Sequence, residues 1–85
     1  MALTERDLAI IELERTWWSL GGSKESLIRE RFDLSTSRYY DLLSDIVDSD
    51  EALRFDPLVI RRLRRLRARR RRARFESQMQ RPPAR

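Results

Sequence analysis

Between Arg61 and Arg74, ten of fourteen residues are Arg. A guanidinium is permanently charged and presents paired N–H donors that match phosphate oxygens. Arg61, Arg62, Arg64, Arg65, Arg67, Arg69, Arg70, Arg71, Arg72 and Arg74 therefore read as a strip that holds a polyanion, duplex DNA before RNA. A solvated helix face mixes signs to form pairs one turn apart, and this run meets no carboxylate until Glu76. Engaging about six to eight phosphates would give log K a slope of about −5 to −7 against log salt, whatever the base sequence. Such contacts position a duplex without reading it, although Arg also suits the narrow minor groove of A·T-rich DNA.

Base reading needs donors on a helix that can enter the major groove, and Ser35, Thr36, Ser37, Arg38 and Tyr40 supply them. Arg38 can donate a bidentate pair to guanine O6 and N7, the hydroxyls can reach base edges or phosphates, and Tyr40 can meet backbone or a thymine methyl. Asp41, Asp45 and Asp48 line the same outward side and oppose phosphate approach. Gly21-Gly22-Ser23-Lys24 lacks the spacing and the preceding strand of a phosphate loop and reads as helix punctuation. Asp45, Asp48, Asp50 and Glu51 miss the spacing of a calcium loop and read as a solvated connector whose charge can fold back onto the Arg run. With neither Cys nor His, the chain lacks a disulfide, a thiolate nucleophile and an imidazole, so no catalysis, metal or cofactor is expected.

The elements that carry these residues are helical: two Gly, three Pro and no strand-like alternation leave a chain whose punctuation is legible. Thr4 with Asp7 resembles a capping box and starts a first helix near residue 5, which runs to Gly21-Gly22. Ala9, Ile10, Leu13, Trp17 and Leu20 share its inner face, widened by Ile11 and Trp18, with Glu5, Glu12, Arg15 and Ser19 in water. Adjacent residues cannot both face one contact, so Trp17 is expected inside and Trp18 at an edge, open to a partner. Ser23 caps a second helix to about Phe32, and Ser35 caps a third over 36–48. Asp56-Pro57 then starts a long basic helix that packs through Val59, Ile60, Leu63 and Leu66 and frays beyond about residue 68.

The short Asp33-Leu34 link gives the second and third helices the outline of a helix-turn-helix. Ile28, Phe32, Leu34, Tyr39 and Leu42 fall at the five positions where that motif needs apolar side chains. Asp33 stands where Gly usually supplies a positive φ, which Asp tolerates better than most residues. Arg29 stands where a small residue usually sits and must swing outward. The order Glu14-Arg15-Thr16-Trp17-Trp18, Gly21-Gly22-Ser23-Lys24-Glu25, Leu34 to Leu43 with Arg38-Tyr39-Tyr40, Asp56-Pro57 and Arg61 to Arg67 resembles a family of short actinobacterial proteins built on a domain of unknown function. The resemblance spans most of the chain and implies no activity, ligand or site residue.

Charge divides the chain in two. Residues 1–60 hold seven Lys/Arg against thirteen Asp/Glu, net −6, and residues 61–85 hold twelve Arg against Glu76, net +11, for an overall +5. The expected architecture is a small all-α helix-turn-helix bundle of three to four helices over 1–56, a basic C-terminal helix over 57–78 and a disordered tail over 79–85. The expected function is DNA binding by a transcriptional regulator or chromosome-associated factor, cytoplasmic and at the nucleoid. The alternative is an adaptor that binds a protein such as the transcription machinery through Trp18 and the acidic surface, the Arg tail adding nucleic-acid affinity. Val59, Leu63 and Leu66 with Trp18 could also join two copies in a homodimer, although packing within one chain accounts for them equally well. No apolar run approaches the roughly eighteen residues that span a bilayer.

Overall fold

A computed structural model describes residues 2–79. Five α-helices occupy them, with no strand among the described residues: α1 (Glu5–Thr16), α2 (Lys24–Phe32), α3 (Thr36–Val47), α4 (Asp50–Phe55) and α5 (Pro57–Met79). Each start has a side-chain cap, which contributes about 1 kcal/mol. At α1 the Thr4 hydroxyl accepts from the Asp7 N–H at 3.1 Å while the Asp7 carboxylate accepts from the Thr4 N–H at 3.0 Å, the expected capping box. Ser23, Ser35 and Ser49 accept from Ser26, Arg38 and Ala52 N–H groups. Asp56 accepts from the Val59 N–H at 3.3 Å, with Pro57 at the first helical position where no donor is needed.

Helix α1 stops at Thr16, earlier than its apolar spacing predicts. There the Thr16 hydroxyl donates to the Glu12 carbonyl at 2.8 Å, a local bond that competes with the helix ladder, and the chain tightens into a 3-10 turn over Trp17–Ser19. Gly21 and Gly22 follow with φ of 76° and 78°. Nothing lies within 4 Å of where a Cβ would sit on either, so it is the backbone conformation that calls for Gly. Trp17 is half-buried and Trp18 is 67% exposed, in the expected order. Ala9 and Leu20 are exposed, against expectation: the buried face of α1 is centred instead on Ile10, Ile11, Leu13 and Glu14.

The turn between α2 and α3 has Asp33 in the left-handed region (φ 52°, ψ 40°), its N–H donating to the Arg29 carbonyl at 3.0 Å. Ile28 and Tyr39 are fully buried, and Phe32, Leu34 and Leu42 pack against the same core. The Phe32 and Tyr39 rings meet at 5.9 Å. Arg29 is exposed, so its bulk does not enter the helix crossing.

The acidic stretch is not wholly a connector. Asp50–Phe55 forms α4, because Ser49 caps it, Asp50 and Glu51 sit in the first turn where the helix dipole favours carboxylates, and Ala52 and Leu53 reach the core. Helix α5 runs as one helix to Met79, about 34 Å at 1.5 Å per residue. Its first turns belong to the core: Val59 and Ile60 are buried and Leu63 packs against them. The stripe offered as a dimer seam is therefore mostly used within one chain, leaving Leu66 and Trp18 exposed. The expected tail lies outside the described residues beyond Met79. No helix among the described residues is long and apolar enough to cross a membrane.

Candidate nucleic-acid interface

The basic helix is fastened to the bundle by its own arginines. Arg62 donates to the Glu14 carbonyl at 2.7 Å, and Arg64 donates through Nε to the Val47 carbonyl at 2.8 Å, at the C-terminal end of α3 where carbonyls lack helical partners. Arg67 pairs with Asp48 at 2.7 Å. The hydrogen bond from Arg67 holds the Asp48 carboxyl below its usual range, helped by the charges of Arg67, Arg64 and Arg71. Arg62, Arg64 and Arg67, grouped by the sequence with the phosphate contacts, thus each use donors inside the chain. Folding of the acidic segment onto the Arg run occurs at Asp48.

The other seven arginines of the run are exposed and fall on two faces. Arg61, Arg65, Arg69 and Arg72 recur at helical spacing and form one stripe on α5. Arg70, Arg71 and Arg74 border a groove of about 520 Å³ between α5, α3 and the end of α1. From Ala68 to Glu76 every residue is exposed, so this part of α5 projects its charge into solvent.

The α3 candidates separate. Thr36, Ser37 and Arg38 are exposed at the N-terminal turn, while Ser35 has its hydroxyl in the cap. Tyr40 does not join them: it is half-buried, meets Tyr39 edge-on at 5.3 Å and lines the groove with Leu43, Ser44 and Val47. Arg38 shares its outward stripe with exposed Asp41, Asp45 and Asp48, so one face of α3 is acidic apart from its leading turn.

Beneath the groove lies a buried polar cluster absent from the sequence reading. Glu14 is 2% exposed, and its carboxylate accepts from the Tyr39 hydroxyl and from Lys24 Nζ at 2.9 Å. Lys24 Nζ lies 5.5 Å from the Trp17 ring centre and 5.0 Å from that of Tyr40, so aromatic faces complete its surroundings. Three elements are tied at this point: α1 through Glu14, α2 through Lys24 and α3 through Tyr39. Arg62 on the Glu14 carbonyl adds α5.

A family model described as "Protein of unknown function (DUF3263)" matches residues 2–75. The chain belongs to the DUF3263 family. No curated protein and no solved structure matches it. The DUF3263 stretch of this chain takes in the Thr4 cap, the Glu14 cluster, the turn at Asp33 and all ten arginines to Arg74.

The cluster gives this DUF3263 protein an alkaline limit. Burial, then the charge of Glu14, then the hydrogen bond to Glu14 push the Tyr39 hydroxyl well above the ordinary tyrosine range. A raised native pKa contributes stability that is complete below the unfolded value, about 10, and lost as pH rises past it. Urea midpoints should therefore fall above about pH 10 in the native sequence, and Tyr39→Phe should flatten that fall while lowering stability at neutral pH. Equal alkaline slopes in both proteins would remove Tyr39 as the cause.

Proposed function

We propose that the chain is a DNA-binding protein, a transcriptional regulator or chromosome-associated factor, in which α5 holds phosphates and the first turn of α3 meets the major groove. The observation that carries this reading is the exposed stripe Arg61, Arg65, Arg69 and Arg72 on a helix fastened at its base by Arg62, Arg64 and Arg67. Anchoring orders the cationic stripe before the polyanion arrives, which lowers the ordering cost of binding. Thr36, Ser37 and Arg38 add a short reading edge, with the carboxylates behind them discouraging deeper insertion of α3. Eighteen Arg against one Lys accord with a GC-rich, actinobacterial genome, because Arg codons are GC-rich.

Selection from randomised duplex DNA at about 150 mM salt, where exposed charge is screened beyond roughly 8 Å, separates reading from holding. An enriched motif is the expected result, and Arg38→Ala should erase the preference at one or two positions, costing about 1–3 kcal/mol against the chosen base, while bulk affinity stays. Binding with no enriched motif removes the reading role from α3 and leaves a chromosome coat or an adaptor recruited by a protein partner. Absence of duplex binding at any salt sinks the proposal.

A further inference from the structure

The groove carries a second, more specific chemistry. Trp18 is 67% exposed, yet its indole N–H donates to the Arg15 carbonyl at 3.1 Å, so the ring is held by one edge while presenting its surface. It lines one end of the groove, whose apolar lining includes Leu43, Val47 and Leu63. Arg70, Arg71 and Arg74 stand along the α5 side, and the one carboxylate in the lining, Glu14, is already engaged by Tyr39 and Lys24. A held aromatic face, an apolar floor and three exposed guanidinium groups suit a flat, weakly polar ring joined to phosphate. The volume of about 520 Å³ lies within the roughly 300–1,000 Å³ of small-ligand sites.

We infer that the groove between α3 and α5 seats an unpaired nucleotide of a single nucleic-acid strand, its base stacked on Trp18 and its phosphates held by Arg70, Arg71 and Arg74. This rests on the reading that the chain binds nucleic acid, and it assigns the two faces of α5 to different forms: the stripe at Arg61 and Arg65 to duplex, the groove face to single strands. A paired base cannot take the site, because both of its faces are stacked within the duplex. The shared chemistry of an exposed base and phosphate comes from DNA or RNA alike.

The test titrates the full-length protein with oligothymidylate, oligouridylate and a random-sequence duplex, each about ten residues long, and follows tryptophan emission and anisotropy. Quenching by a single strand and weak quenching by the duplex are expected, and whichever strand binds more tightly names DNA or RNA as the source. Trp18→Ala, at an exposed position and checked for helicity, should lower single-strand affinity about tenfold, within the range of one lost base stack, and leave duplex affinity unchanged. The matched pairs Arg70→Glu/Arg74→Glu and Arg61→Glu/Arg65→Glu remove equal charge: the first should act mainly on single strands, the second mainly on duplex.

Equal effects of the two pairs, or single-strand affinity indifferent to Trp18→Ala, would overturn the nucleotide seat while leaving duplex binding standing. Quenching by an acidic Leu/Glu helical peptide and not by either oligonucleotide would overturn it in favour of a protein partner. Loss of the duplex signal in the native protein would bring down the DNA-binding reading itself.

Discussion

Glu14→Ala should destabilise the protein by about 3–5 kcal/mol, the largest loss expected from any single side chain and enough to unfold it if its stability lies at the low end for its length. The carboxylate is buried and joins the buried Tyr39 hydroxyl to Lys24, itself mostly covered. Removing it strands a phenol and an ammonium without acceptors, and breaking a buried pair from one side costs about 3–5 kcal/mol. A domain of this length is stable by roughly 4–13 kcal/mol at about 0.05–0.15 kcal/mol per residue. Urea denaturation followed by helicity measures the loss. A change below about 1 kcal/mol would mean that the cluster is ornamental. The triple variant Glu14→Leu/Tyr39→Phe/Lys24→Met removes all three polar groups together, and its loss should be smaller than the single variants suggest, since no group is left without a partner.

That cluster was the part of the fold hardest to see from the residues. On α1, Ile10, Ile11, Leu13 and Glu14 follow a buried helical pattern, with a carboxylate in a place that an apolar side chain would normally fill. Reading only apolar letters shifted the face toward Ala9 and Leu20 and passed over Glu14. The signal lay elsewhere in the composition: Lys24 is the single lysine beside eighteen arginines. A compact ammonium can sit over aromatic rings and reach one carboxylate, where a planar guanidinium demands more partners. The helix-turn-helix was legible because its demands are local: five apolar positions and one residue able to take a positive φ, which Asp33 does. Helix α4 was hidden because four carboxylates dominate the stretch, whereas two small contacts, Ala52 and Leu53, and the Ser49 cap decide its conformation.

The arginine run was legible as charge but not as geometry. Ten positive groups on one helix are equivalent in sequence, and only the bundle tells which of them face carbonyls. Val47 and Glu14 offer backbone oxygens and Asp48 a carboxylate within reach of the first turns, so Arg64, Arg62 and Arg67 become fasteners. Beyond them, Arg71 still acts on Asp48 through its charge, and the exposed arginines of the run make no side-chain hydrogen bond or ion pair among the described residues.

Truncation after Arg67 should therefore weaken duplex binding and halve its salt dependence while leaving the fold intact. It removes Arg69, Arg70, Arg71, Arg72 and Arg74, five of the seven exposed arginines of the run, yet keeps Val59, Ile60, Leu63 and the three fasteners. Of the four stripe arginines assigned to duplex, Arg61 and Arg65 remain, so a slope of log K against log salt of about −4 on duplex should fall to about −2. Between about 50 and 200 mM salt the native chain should lose about two decades in duplex affinity and the truncated chain about one. Because Ala68 to Glu76 are exposed, the urea midpoint should barely move. An unchanged slope would place the contacts outside the removed part of α5, and a collapsed fold would show that the distal helix supports the bundle. A flattened slope on a stable bundle would assign the phosphates to distal α5, since charge lost without structural change can act only through the polyanion.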